Sequence, residues 1–173
     1  MSLLTLKRPC LKRIERKKPE AKSEGASQAH PFGPNGKVLA ICDVENIWIS
    51  AKRSGLSICF TRFHDHLQRE LGATHLHAVC THDPNGCLPV PELKASPWDL
   101  HTREVSWIQR DGEWIRQANS DTLFAALAGS MVSQLAPEGL ILLTGDGALA
   151  CDTAKIIRTT LPNPPRILAM GIE

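Results

Sequence analysis

Acidic residues follow two strongly apolar segments of this chain. Asp43 comes directly after residues 38–42, and Asp146 comes shortly after residues 139–143. A third acid, Asp121, stands where a helix is predicted to begin. Three carboxylates in one crevice repel one another, and a divalent cation that prefers oxygen ligands, Mg²⁺ or Mn²⁺, offsets that repulsion. These residue types therefore indicate a metal site held by Asp43, Asp121 and Asp146, provided that the fold brings them together.

Each acid also has an explanation that needs no metal. Asp121 is favourable near the positive N-terminal end of a helix, by about 0.3–1 kcal/mol. Asp146 lies between two glycines and suits a turn, and Asp43 can accept hydrogen bonds from backbone amides of the loop that follows it. Spacing in the sequence leaves both explanations open.

The segments around these acids alternate between β-rich and helical patterns from residue 37 onwards. Such alternation is typical of βαβ units around a parallel sheet. The predicted strands cover 37–43, 73–82, 139–147 and 166–173, and the predicted helices cover 60–71, 119–135 and 148 to about 161.

Two connecting segments have patterns of their own. Residues 83–101 are rich in proline and are predicted to form a loop. An Asp-Gly pair at 111–112 lies between alternating segments, which predicts a β-hairpin over 103–117.

The predicted fold class is therefore α/β, with three layers (α/β/α) around a mostly parallel central sheet of Rossmann-like or flavodoxin-like architecture. In such sheets, ligands bind beyond the carboxyl ends of the strands, where the strand order reverses. Asp43 and Asp146 both follow predicted strands. If those strands are neighbours, about 4.8 Å apart, the two acids lie in the same crevice.

The composition suits one soluble globular domain. The chain has 173 residues and is 42% hydrophobic, which suffices for one core but not for two full domains. It has no apolar run of the roughly 18–20 residues that a membrane span requires, and its N-terminus lacks the apolar region of a signal peptide. We therefore expect a cytoplasmic protein with reduced cysteines and no membrane partner, and no pattern indicates a homo-oligomer.

Charge is distributed unevenly along the chain. Residues 1–37 contain 9 Lys/Arg and 3 Asp/Glu, a balance of +6, and residues 38–173 contain the remaining 11 and 15, a balance of −4. Residues 1–36 lack sustained apolar periodicity, so we interpret them as a basic, disordered tail before a domain over 37–173. The tail is either a solubilising extension or an arm that contacts a phosphate backbone.

Three segments resemble the signature blocks of the NYN domain, a family of PIN-like metal-dependent ribonucleases. They are ICDVENIWISAKRSG (41–55), GEWIRQANSDTLFAALAGSM (112–131) and LILLTGDGALACDTAKI (140–156). Asp43 and Asn46 match the family's Asp-x-x-Asn, Asp121 matches its central acid, and Asp146 matches its Gly-Asp-Gly. The resemblance extends over roughly residues 37–173.

This resemblance implies a PIN-like fold and hydrolysis of RNA phosphodiester bonds with Mg²⁺ or Mn²⁺. Asp43, Asp121 and Asp146 would hold the metal, and Asn46 would orient a carboxylate or the phosphate. We therefore assign these four residues as catalytic. Contacts to the RNA substrate are expected from four further residues: Thr144, Lys52, Arg53 and Arg116.

Two positions depart from the family pattern and leave a second function open. The family often has further acids where this chain has Leu127 and Ala148. With only three carboxylates, a second metal lacks ligands, so the alternative is a catalytically silent module that binds RNA or docks a protein. A flavodoxin-like signalling or nucleotide-binding domain is a third, weaker hypothesis, because fold alone does not fix function.

The histidine and tryptophan residues are predicted to have structural roles rather than to bind a metal or a substrate. Structural zinc sites usually contain closely spaced Cys pairs, and this chain has none, so we expect the histidines to be surface or hydrogen-bonded residues. Alternation places His75 and His77 on one face of their strand. Trp107 and Trp114 flank the hairpin turn and are predicted to pack across it, with stacking on an RNA base as the alternative.

Overall fold

The structure is a computed structural model that describes residues 31–32, 36–82, 88, 90–117 and 120–172, with only the backbone described at 116 and 117. This part of the chain contains seven strands and five helices. In chain order they are β1 (Val38–Asp43), α1 (Val44–Arg53), α2 (Phe60–Leu71), β2 (His75–His82), α3 (Val90–Lys94), β3 (Asp99–Glu104), β4 (Ser106–Arg110), β5 (Glu113–Gln117), α4 (Ser120–Leu135), β6 (Gly139–Leu143), α5 (Gly147–Thr160) and β7 (Arg166–Met170).

Five strands form one parallel sheet in the order β3-β2-β1-β6-β7. One face of the sheet packs against residues of α1 and α2, including Ile47 and Phe60. The other face packs against residues of α4 and α5, including Phe124 and Ile157. This arrangement confirms the predicted α/β class with a mostly parallel central sheet between helical layers.

The two central strands, β1 and β6, are buried along their whole length. A strand covered on both faces needs apolar residues at every position, which explains the continuous runs in the sequence. The strands pair in parallel, with Cys42 opposite Leu143. The chain continues from β1 towards β2 and β3 on one side and returns to β6 and β7 on the other, so the strand order reverses between β1 and β6.

The predicted loop over 83–101 is wrong in its second half. Residues 90–94 form α3, and β3 begins at Asp99 and pairs in parallel with β2. Trp98 anchors this segment, because its buried indole Nε1 donates a 2.8 Å hydrogen bond to the Phe60 carbonyl. β3 is an edge strand with mostly exposed side chains, so it lacks the apolar pattern by which strands are recognised.

The hairpin prediction is confirmed at its turn but not in its length. Asp111 and Gly112 both have positive φ values, 53° and 85°, which is the conformation that an Asp-Gly pair favours in a two-residue hairpin. The paired strands are β4 and β5, and Arg103 and Glu104 belong to β3 instead. The hairpin connects the carboxyl end of β3 to the start of α4.

The packed domain begins before the predicted boundary at residue 37. Phe32 is only 7% exposed and belongs to the core cluster that contains Val38. Gly139 permits this contact, because a Cβ at this position would lie 2.3 Å from the Phe32 ring. The rest of the predicted tail, residues 1–30 and 33–35, lies outside the described residues, as do Cys10 and Cys87.

Two further observations bear on the expectations from composition. Cys42 and Cys80 are buried free thiols within β1 and β2, as their apolar context predicts. Among the described helices, none has the length and apolar character needed to cross a membrane.

Candidate functional site

Asp43 is the last residue of β1 and is fully buried. It is also the N-cap of α1, because its Oδ1 accepts a 3.3 Å hydrogen bond from the Asn46 amide. The side-chain Nδ2 of Asn46 donates to Oδ2 of the same carboxylate. Asn46 therefore orients Asp43, which is the first of its two predicted roles. The explanation of Asp43 as a backbone-capping residue is also correct.

Neighbouring elements contribute two hydroxyl donors to the Asp43 carboxylate. Ser120, the first residue of α4, donates to Oδ1 at 3.5 Å. Thr144, which follows β6, donates to Oδ2 at 3.4 Å. One carboxylate thus joins the ends of β1 and β6 and the beginnings of α1 and α4. The N-terminal ends of these helices carry partial positive charge, which favours an anion at this point.

Burial raises the pKa of Asp43 above its ordinary value of 3.8. The hydrogen bonds from Asn46 act in the opposite direction, and the negative charges of Asp121 and Glu45 raise the pKa further. Asp121 follows Ser120, whose hydroxyl donates to Asp43, so its backbone lies next to this carboxylate. A buried carboxylate with two acidic neighbours is an environment that a bound cation would relieve.

Asp146 lies in the same edge of the sheet but has a different environment. It is exposed, and its Oδ1 accepts hydrogen bonds from the Ala148 and Leu149 amides at 2.8 and 3.1 Å, so it caps α5. Its own amide donates to the Thr144 hydroxyl at 3.1 Å. Thr144 was predicted to contact the substrate. It is buried, and its hydroxyl forms hydrogen bonds with the Asp43 carboxylate and the Asp146 amide, so in this structure it positions Asp43 and the Asp146 loop.

Glu45 was not among the predicted site residues. It lies in the first turn of α1, which begins at Val44. The Glu45 carboxylate accepts a 2.9 Å hydrogen bond from the Thr81 hydroxyl at the end of β2. Recognising Asp43 as an N-cap would have placed Glu45 in the first helical turn, at the same edge.

The oxygen atoms of the three predicted metal ligands do not all lie within 4.8 Å of one another. Among the described residues, a group on β2 and β3 meets this criterion instead. Asp43 uses both oxygens in hydrogen bonds, and Asp146 uses Oδ1 to cap α5. Mg²⁺ suits such an arrangement, because it commonly binds one or two carboxylates and completes its shell with waters and substrate phosphates.

Two of the predicted cationic contacts, Lys52 and Arg53, are not at this edge. Lys52 and Arg53 lie in the last turn of α1, about 13 Å along the helix from Asp43. The Lys52 ammonium lies 4.9 Å from the centre of the Trp48 ring. Arg116 is in β5, and its side chain is outside the described part of the structure.

The hairpin presents aromatic rings to solvent. Trp107 pairs with Arg116 and Trp114 pairs with Gln109, so the two rings are on one face but diagonal to each other rather than directly opposite. They are 53% and 66% exposed. The predicted packing across the turn is therefore at most partial, and both rings remain accessible to a ligand.

A second cluster lies on β2 and β3, and it could hold a metal ion. It consists of His77, Asp99 and His101. Burial lowers the pKa of His77, the nearby Asp99 carboxylate opposes this effect, and His101 and His75 add to it. The cluster was missed because two of its residues belong to the predicted loop, and the His75–His77 spacing was the signal available in the sequence.

These features define an α/β protein with hydrogen-bonded acids where the order of a parallel sheet reverses. No protein-family model matches the chain, and no functionally curated protein matches it. It is similar in fold to a solved protein of unknown function from Vibrio parahaemolyticus, with a TM-score of 0.58 and 17% identity over 79% of this chain and 81% of that chain. Similarity at this identity concerns the fold alone.

Proposed function

We propose that this protein is a metal-dependent ribonuclease of the NYN type that hydrolyses RNA phosphodiester bonds with Mg²⁺ or Mn²⁺. The observation that carries the proposal is the buried Asp43 carboxylate, located where strand order reverses and close enough to Asp121 for that charge to raise its pKa. Buried like charges destabilise a protein unless a partner offsets them. A site that tolerates this arrangement is suited to a cation.

Asp43, Asp121 and Asp146 would hold the ion. A bound Mg²⁺ or Mn²⁺ would lower the pKa of a water and offset negative charge on the phosphate. The donor chemistry fits, because these ions prefer carboxylate oxygens over nitrogen or sulfur. Asn46 and Thr144 hold the Asp43 carboxylate in one orientation, which limits the reorganisation needed when ion and substrate bind.

The hairpin is the part of the domain best suited to contact RNA bases. It leads from the carboxyl end of β3 to α4, whose first residue bonds Asp43, so its connections are at the same edge as the acids. Exposed Trp107 and Trp114 offer ring faces on which single-stranded bases can stack. Lys52 and Arg53, at the far end of α1, can reach only nucleotides distant from the cleaved bond.

The test is cleavage of mixed single-stranded RNA with Mg²⁺ or Mn²⁺ by the full chain and by Asp43→Asn and Asp146→Asn. Asparagine is also a good N-cap, so each substitution removes a charge while α1 and α5 keep their caps. We expect both variants to lose most of the activity. Asp65→Asn, an exposed position on α2, is the matched control and should remain active.

Equal cleavage by the wild type and both site variants would remove the basis of the proposal, because the activity would then come from another site or a contaminant.

A second candidate is a catalytically silent module that binds RNA or a protein. It is favoured by the hydrogen bonds that occupy both Asp43 oxygens and by Leu127 and Ala148, where related domains often have acids. Titration with Mg²⁺ and Mn²⁺ discriminates the two. RNA binding without binding of either ion at millimolar concentration would support the silent module and contradict the enzyme.

A further inference from the structure

The cluster on β2 and β3 is built from residues that share one face of the sheet. His77 is the register partner of Asp99, and His101 is two residues further along β3. Because side chains alternate along strands, Asp99 and His101 project from the same face. Val79 is two residues after His77 in β2, so it projects from the same face, and it packs in one cluster with Phe124 of α4. The three residues are therefore on the face that α4 and α5 cover.

The distances between the donor atoms fit a small transition-metal ion. His77 Nδ1 lies 3.0 Å from His101 Nε2 and 3.2 Å from Asp99 Oδ2, and His101 Nε2 lies 4.0 Å from Asp99 Oδ1. In a tetrahedral Zn²⁺ site with bonds of about 2.0–2.1 Å, neighbouring ligand atoms are roughly 3.3–3.4 Å apart. These distances join four atoms, since a different Asp99 oxygen approaches each histidine, and the longest exceeds the tetrahedral value by roughly 0.6 Å. A modest rotation of the exposed Asp99 side chain is therefore enough to direct one of its oxygens at an ion held by both histidines.

Two ring nitrogens at 3.0 Å cannot both carry a proton, so at least one has its lone pair directed at the other. His77 is buried, and its other nitrogen, Nε2, has no hydrogen-bond partner among the described residues. The polar contacts of this ring are therefore made at Nδ1, which lies close to both His101 Nε2 and Asp99 Oδ2, so the three side chains converge on one point. A cation at that point would accept the lone pair of each imidazole nitrogen and offset the Asp99 charge.

The donor set also selects the metal. Two imidazole nitrogens and one carboxylate oxygen are ligands that Zn²⁺ accepts, whereas Mg²⁺ prefers oxygen ligands alone. Asp99 is exposed and His101 is half-buried, so a fourth position is open to solvent.

This cluster is separate from the acidic site. Val79 pairs with both Asp43 and His101, so those two residues are two strand spacings apart, about 10 Å. That separation exceeds the roughly 3.5–4 Å between the ions of a two-metal centre. The two sites therefore have different ligands and can be tested independently.

We propose that His77, Asp99 and His101 form a second metal site of the Zn²⁺ class, which ties the edge strand β3 to β2.

The experiment removes bound metal from the full chain with a chelator and then titrates Zn²⁺ against a chromophoric competitor and Co²⁺ by its visible absorption. The variants are His101→Gln and Asp99→Asn, which change accessible side chains and spare the core. The controls are His75→Gln, on the same strand face but outside the cluster, and Asp43→Asn, in the acidic site.

We expect one Zn²⁺ per chain that millimolar Mg²⁺ does not displace, and an increase in melting temperature on binding. The affinity should fall at least about tenfold in His101→Gln and Asp99→Asn and stay within about twofold in both controls. Absence of Zn²⁺ and Co²⁺ binding, or equal affinity in the wild type and both cluster variants, would overturn the proposal and leave a hydrogen-bonded trio that shares protons. Neither result depends on RNA cleavage.

Discussion

The Thr144 hydroxyl donates to Oδ2 of Asp43 across two neighbouring strands whose residues are 101 positions apart in the chain. The Thr144 hydroxyl oxygen, Oγ1, in turn accepts a hydrogen bond from the Asp146 amide. One threonine therefore couples the N-cap of α1 to the N-cap of α5. This coupling fixes the two predicted catalytic acids relative to each other without a direct contact between them.

Replacing Thr144 with valine should lower the rate of RNA cleavage while leaving RNA affinity unchanged. Valine has the same shape but donates no hydrogen bond. A hydrogen bond to a charged group contributes about 1.5–3 kcal/mol, so we expect kcat to fall roughly 10- to 100-fold. Steady-state kinetics on a short RNA would measure the change, with Thr144→Ser expected to restore activity.

Thr160→Val is the matched control for this substitution. Its hydroxyl bonds the Ile156 carbonyl within α5 at an exposed position. A similar loss of kcat in both variants would indicate a general effect of removing a hydroxyl and would contradict the positioning role of Thr144.

Asp43→Asn should make the metal-free protein more stable relative to wild type as the pH rises. Burial raises the pKa of Asp43 above 3.8, so between its unfolded and folded pKa the folded state binds more protons than the unfolded state. The free energy of unfolding of the wild type therefore falls as pH rises through this window, and asparagine does not titrate. Urea unfolding with a chelator, from mildly acidic to neutral pH, measures the difference.

At neutral pH, Mn²⁺ or Mg²⁺ should stabilise the wild type and have little effect on Asp43→Asn, because a ligand stabilises only the protein that binds it. A stability difference between the two proteins that is independent of pH would show that Asp43 is not strained by burial.

Trp114→Ala should weaken RNA binding without changing its salt dependence. Stacking on an aromatic ring contributes about 1–3 kcal/mol per base and involves no phosphate charge. Trp114 is 66% exposed, so its removal should leave the melting temperature nearly unchanged. Leu56→Ala, at a site 55% exposed and outside the hairpin, is the control, and equal RNA affinity of Trp114→Ala and wild type would exclude stacking on this ring.

Two N-terminal truncations should separate RNA binding from folding. Deleting residues 1–30 removes eight of the Lys/Arg residues but keeps Phe32, whereas deleting residues 1–36 also removes this core side chain. We expect the shorter deletion to keep the stability and to flatten the salt dependence of RNA affinity by about 0.7 log unit for each phosphate that the tail neutralised. Removal of a buried Phe side chain costs about 3–5 kcal/mol, so the longer deletion should be clearly less stable.

Fluorescence titrations at several salt concentrations and urea unfolding of both truncated proteins provide these numbers. Unchanged salt dependence after the shorter deletion would make residues 1–30 a solubilising or partner-binding extension.

The sequence predicted the central elements well because they are covered on both sides or have one clear apolar stripe. β1 and β6 are apolar throughout, and α2 begins and ends where its pattern predicts. The placement of Asp43 and Asp146 at one edge followed from these strands. That edge is formed by the ends of β1 and β6, which are buried at every position and therefore have the apolar pattern that is easiest to recognise in a sequence.

The elements that were missed are those with weak or overlapping signals. α1 starts without a loop after β1, so Asp43 serves as both strand end and helix cap, and the pattern Val44, Ile47, Ala51 was not recognised. β3 is an exposed edge strand whose residues have no apolar alternation. Its register with β2 determines that His77 meets Asp99 and His101, so this cluster could not be found before the strand itself.

The parallel pairing of β1 with β6 also determines when the acidic site can exist during folding. The crossover from β1 to β2 consists of residues 44–74, whereas β6 must close a loop about three times as long before it reaches β1, so β2 can pair with β1 earlier than β6 can. Pairing between segments so distant in sequence is slow, because the chain gives up conformational entropy before any favourable interaction forms. A ribosome-bound chain that has not yet emerged beyond residue 139 leaves one side of β1 without its partner strand and lacks both Thr144 and Asp146. The nuclease chemistry that we propose for this site would therefore be withheld from the nascent chain, and from any fragment that ends before β6, until nearly the whole domain has been made.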